Sequence, residues 1–142
     1  MRAIKTIAAA VAMFVAAPTA HNGSSAYRTA IGNLGNEVNE CAAYFLVLSR
    51  FLGTTQAGPP GARQAAEASR MMLERALGLG ALLGQKGEGV TARYHANVAS
   101  IEKATGGDGK ALFDRYAVSC LEIANNPFLH MDAWLQKAGA LK

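Results

Sequence analysis

Cysteine is scarce in this chain of 142 residues: there are two, too few for a disulfide-framework miniprotein or a four-thiolate zinc site. Charge is sparse as well, at 17% of residues, and both signs are scattered along the chain. A nucleic-acid footprint needs a clustered basic face, and a lipid-headgroup site needs a polybasic run; neither is present. The signatures of several chemistries are missing: HExxH, two His three or four apart, CxxCH, paired Glu-x-x-His, GxSxG, a P-loop and a dinucleotide glycine fingerprint. No stretch alternates apolar and polar residues at period two for a useful length, and there is no internal repeat or low-complexity tract. What the chain has in quantity is alanine, 29 residues, with few β-branched residues beside it. That composition favours helix, and a hydrophobic content of 51% excludes a disordered chain.

The N-terminus has the layout of a secretory signal peptide. A short basic start with Arg2 and Lys5 precedes an apolar run over residues 7–17, and Pro18-Thr19-Ala20 follows with a small residue for cleavage. Eleven apolar residues are too few to span a bilayer, which takes about 20. Residues 1–20 are therefore expected to be removed, with cleavage after Ala26 as the alternative. Loss of Arg2 and Lys5 takes the formal charge from +4 to +2. Residues 27–142 read as a single helical domain with no membrane span, periplasmic or secreted.

Apolar residues along the first part of that domain recur at Ile31, Leu34, Val38, Cys41, Phe45, Leu48 and Leu52, spacings of three and four in strict alternation. This predicts a helix over 27–52, ended by Gly53 and a turn-rich connection. A second helix is expected over 61–84 on the stripe Ala62, Ala65, Ser69, Met72, Ala76, Leu79 and Leu83. Gly78 and Gly80 inside it each cost about 1 kcal/mol relative to Ala, so either a neighbour approaches closely there or the helix bends. A third helix is expected over 88–105, stopped by Gly106-Gly107, and a fourth begins with Asp108 as N-cap. The fourth carries Leu112, Phe113, Tyr116, Cys120 and Ile123, and Asn125-Asn126-Pro127 ends it. A short amphipathic segment over 128–141 follows. The expected fold is all-α: an up-down four-helix bundle with a short C-terminal fifth helix.

Cys41 and Cys120 form the most informative pair. An even count outside the reducing cytoplasm implies one disulfide. In an up-down bundle, helices one and four run side by side and antiparallel. Cys41 lies about 16 Å from the end of helix one, and Cys120 about 18 Å from the start of helix four, at 1.5 Å per residue. With those ends level, the two sulfurs meet, and both lie on their helix's apolar stripe. A structural bridge between helices 1 and 4 is therefore expected.

Candidate chemistry is thinner. His21, if exposed by cleavage after Ala20, offers an amine and an imidazole for copper, with His95 or His130 as the second imidazole. Both of these are otherwise expected at a stripe edge or on the surface. Noncovalent haem ligation would fall to Met71 or Met72 with His95 or His130, although Met72 lies on the apolar stripe and reads as core filler. Glu37 and Glu40, one turn apart, form a carboxylate pair suited to acid–base work if buried, or a solvated edge paired with Arg115 or Lys110. Tyr44, Tyr94 and Tyr116 come from three helices and, with Phe45, Phe113 and Trp134, are candidates to line a ligand cavity. Phe128, Met131, Trp134 and Leu135 on the last segment form a candidate partner surface.

Taken together, these features point to binding rather than catalysis. The expected role is a protein-binding module of the cell envelope, of inhibitor, immunity or chaperone type, with another envelope protein as partner and no cofactor. The alternative is a small-molecule, haem or metal binder using the bundle interior or His21.

Overall fold

A computed structural model describes residues 21–55 and 58–139, and among these every regular element is a helix. In chain order they are α1 (His21–Gly53), α2 (Gly58–Leu82), α3 (Gly87–Thr105), α4 (Gly109–Asn125) and α5 (Pro127–Lys137). The expected signal segment, residues 1–20, lies outside the described residues. α1 starts six residues earlier than its apolar stripe predicts. The reason is packing: Ala30 is the first buried apolar residue of the helix, and periodicity reports only the turns that face a core. Ala26, the later cleavage candidate, falls within α1. α2 begins three residues early, at Gly58, because Pro59 and Pro60 sit in a first turn where a missing N–H is no loss.

Several boundaries follow local chemistry. Gly106, at φ 55°, ends α3 in the left-handed conformation, and its N–H donates to the Glu102 carbonyl. The Asp108 carboxylate accepts from the N–H groups of Lys110 and Ala111, at 2.9 and 3.4 Å, and so caps α4. Pro127 occupies the first turn of α5 immediately after Asn126 closes α4.

α1 is the axis of the molecule and touches each of the other four helices, α2 most extensively. Its stripe is buried from Ile31 to Phe45 against Met72 and Ala76 of α2, Val90, Tyr94, Val98 and Ile101 of α3, and Leu112, Tyr116 and Ile123 of α4. Full burial of side chains such as Val38, Met72 and Ile123 stabilises by about 1.5–3 kcal/mol each. Polar cross-links set the register. Ser49 donates to the Ala62 carbonyl at 2.8 Å and Ser69 to the Ala42 carbonyl at 2.7 Å, which runs α2 antiparallel along α1. Asn39, 1% exposed, donates to the Val90 carbonyl and accepts from Asn97, both at 3.0 Å, tying α1 to α3. No buried side-chain nitrogen or oxygen among the described residues lacks a hydrogen-bond partner.

Cys41 and Cys120 are joined by a disulfide, with their Cα atoms 5.2 Å apart. The register that permits it is visible at one end. A Cβ on Gly109 would come within 2.2 Å of the Phe51 ring, so the start of α4 lies directly on the end of α1. From that contact, Cys41 is about 15 Å back along α1 and Cys120 about 16 Å along α4. Gly78 and Gly80 of α2 also differ in purpose. At Gly80 an added Cβ would stand 2.8 Å from Val90 Cγ2, whereas at Gly78 it would meet nothing within 4 Å. Close approach explains Gly80 and leaves Gly78 without a packing reason.

Candidate functional site

α5 packs on α1 and α4. Met131 and Trp134 lie half-buried against the core and Leu135 is buried, while Phe128 in the first turn stays 52% exposed. The four residues of the candidate partner surface are thus divided: three serve to dock the helix, and one faces out. The Lys137 ammonium lies 4.4 Å from the centre of the Trp134 ring, a cation–π contact over its outer face.

The exposed apolar surface is larger than the fifth helix suggests. Phe113, Val118 and Leu121 of α4 and Leu129 of α5 are exposed together with Phe128; Met71 of α2 is the sixth such residue among those described. Phe113, expected on the inward stripe with the cavity residues, is 56% exposed, because Leu112 beside it takes the inward place. Val118, Leu121 and Leu129 were not singled out by the sequence pattern. Their signal was available: they are large apolar residues that fall off the stripe of an amphipathic helix.

His130 joins three helices. Its Nδ1 lies 2.7 Å from Glu37 Oε2 on α1, and its Nε2 lies 3.0 Å from Glu122 Oε1 on α4. The imidazole is largely buried, 16% exposed, which corrects its expected place on the surface. The reason is that α5 docks with this face toward α1 and α4. Glu37 therefore pairs with neither Arg115 nor Lys110. Arg115 lies over the Tyr116 ring at 5.5 Å, and Lys110 pairs with Asp114. Glu40 is exposed. The two carboxylates sit on opposite nitrogens of the ring, so they cannot close on one metal ion together with it.

The remaining candidates are dispersed. His95 is exposed on α3 with its ring tilted against Tyr94 at 5.2 Å. The side chain of His21 lies outside those described. Among the described residues, no group of three or more His, Cys, Asp or Glu is placed to hold a metal. Met71 is exposed, and Met72 is buried with its sulfur 3.6 Å from the Arg75 guanidinium, which also donates to the Ala124 carbonyl at the end of α4.

The three candidate tyrosines, Tyr44, Tyr94 and Tyr116, are buried but do different things. Tyr44 and Tyr116 stack, with ring centres 5.8 Å apart. Ser69 has one hydroxyl hydrogen and gives it to Ala42, so the Tyr94 hydroxyl, 3.0 Å away, donates to Ser69. Burial raises the Tyr44 pKa above its ordinary value. A cleft that the described residues do form lies elsewhere, between α1, α2 and α3, with Gly32, Asn36, Leu79, Gln85 and Arg93 in its wall. Its free volume of about 10 Å³ is room for roughly one water molecule. Asn36 Oδ1 accepts from Arg93 at its rim, at 2.6 Å.

No family model, curated protein or solved structure matches this chain. No helix among the described residues is long and apolar enough to cross a membrane.

Proposed function

We propose that this chain is an exported protein-binding module of the cell envelope, and that the outer face of α4 and α5 is where it meets another envelope protein. One observation carries the proposal: five of the six large apolar side chains exposed among the described residues, Phe113, Val118, Leu121, Phe128 and Leu129, lie on these two consecutive helices. Exposed apolar residues scattered singly are ordinary, but a group on one part of a small protein favours association. The Cys41–Cys120 bridge supports export, since such bonds persist outside the reducing cytoplasm. Cleavage after either Ala20 or Ala26 leaves every buried residue from Ala30 onward in place.

The architecture belongs to the same proposal. We read α1 to α4 as an up-down bundle with α5 as a lid on the α1–α4 side. The antiparallel register of α1 with α2, set by Ser49 and Ser69, supports this, as does the meeting of Phe51 with Gly109. Crossing distances between spin labels on α2 and α4 would test it.

For the binding role, Trp134 is a poor place to probe, because its removal would also undock α5. Leu121→Lys with Leu129→Lys changes exposed positions only. Wild-type protein, cross-linked in the envelope, should yield one defined adduct. The double variant should lose that adduct while keeping the wild-type circular dichroism spectrum and melting temperature. An adduct unaffected by both substitutions would remove α4–α5 as the binding face.

A further inference from the structure

We infer that His130 is a proton-operated latch that holds α5 against α1 and α4. The inference does not depend on whether the apolar face binds a partner. Each imidazole nitrogen stands at hydrogen-bonding distance from a carboxylate oxygen, Nδ1 from Glu37 at 2.7 Å and Nε2 from Glu122 at 3.0 Å. An ionised carboxylate only accepts, so both nitrogens must donate, and only the imidazolium ion carries two N–H donors. A neutral imidazole would keep one of these bonds and turn a lone pair toward the other carboxylate. The arrangement therefore changes character when a single proton leaves the ring.

The surroundings leave this exchange to three side chains. Of the other charged groups on α1 and α4, Arg50 pairs with Glu102, Lys110 pairs with Asp114, and Arg115 lies over Tyr116. Arg28, Glu40 and Asp114 make no described contact with the ring, and on α5 itself Asp132 is exposed and Lys137 covers Trp134. On α2, Arg75 donates to the Ala124 carbonyl. α5 has only 11 residues, so an isolated segment of this length has little helical stability of its own. Its position rests on the latch and on the docking of Met131, Trp134 and Leu135.

The chain's single tryptophan, Trp134, stands one turn after His130 and reports the docking directly. Its emission is measured on the full chain over a series from about pH 5 to about pH 8. The wild type is expected to shift to longer wavelength as pH rises. Over the same interval, α5 amides, referred to those of α3, should exchange roughly tenfold faster, as for one lost charge-assisted hydrogen bond. His130→Gln should remove the pH dependence, and His95→Gln should keep it. Glu122→Gln, at a half-exposed position, should diminish it, because a carboxamide can turn a donor toward the neutral ring. A flat wild-type profile, or a transition that survives in His130→Gln, overturns the inference.

Discussion

Two glycines separated by one residue should answer the same substitution with opposite signs. Gly78→Ala adds a methyl group at an exposed position of α2 that meets nothing within 4 Å. The gain is the ordinary helix-propensity difference, about 1 kcal/mol, or about 4 °C in Tm for a domain of this size. Gly80→Ala places its methyl carbon 2.8 Å from Val90 Cγ2. Carbon atoms rest about 3.5–4.0 Å apart, so the neighbour must retreat by about 1 Å. Val90 cannot do so easily: it is buried, its β-branched side chain has a stiff χ1, and its carbonyl accepts the Asn39 amide. Overpacking of this kind costs about 1–3 kcal/mol, which exceeds the propensity gain near the end of a helix. Urea denaturation followed by circular dichroism should therefore place Gly78→Ala above wild type and Gly80→Ala below it, about 2–3 kcal/mol apart. Val90→Ala added to Gly80→Ala should recover part of the loss. If both alanine variants move stability in the same direction, the assignment of Gly80 to a tight α2–α3 crossing is wrong.

The bridge and one buried tyrosine supply two further tests. Cys41 and Cys120 are 79 residues apart, so the chain-entropy account gives the disulfide about 4.5 kcal/mol. Cys41→Ala with Cys120→Ala should lower Tm by roughly 15–20 °C; a change of only a few degrees in a thermal scan would contradict that account. Tyr44 has its pKa raised by burial, so the folded state holds the phenolic proton more tightly than the unfolded chain. Its contribution is intact below the unfolded value of about 10 and is lost as pH climbs through the higher folded one. Urea midpoints at about pH 9 and about pH 11 should fall further in wild type than in Tyr44→Phe.

The heptad spacing of α1 and the capping role of Asp108 were legible because each depends on neighbours in the chain. The stripe from Ile31 to Phe45 is buried as its period requires, and Asp108 caps α4 through backbone groups two and three residues away. The pairing of Cys41 with Cys120 was legible for a related reason: helical rise converts residue number into height, and two heights could be compared. The candidate site was less readable. His130 meets Glu37 across 93 residues and Glu122 across eight, and no local pattern records which face of a short helix will turn toward two others. Phe113 shows the same limit, since a residue beside the apolar stripe can turn outward once Leu112 has filled the inward place.

Composition and periodicity alone thus determined that this chain is helical, where most of its turns fall, and which residues of α1 face inward. These properties follow from backbone hydrogen bonds and apolar spacing within one segment. The tertiary structure alone decided that Gly80 is a crossing point and Gly78 is not, that Phe113, Val118, Leu121, Phe128 and Leu129 of α4 and α5 stay exposed, and that a histidine closes between two glutamates. Such outcomes depend on how rigid helices lie against one another, and distances of a few ångströms between segments remote in the chain leave no mark on either segment's own pattern.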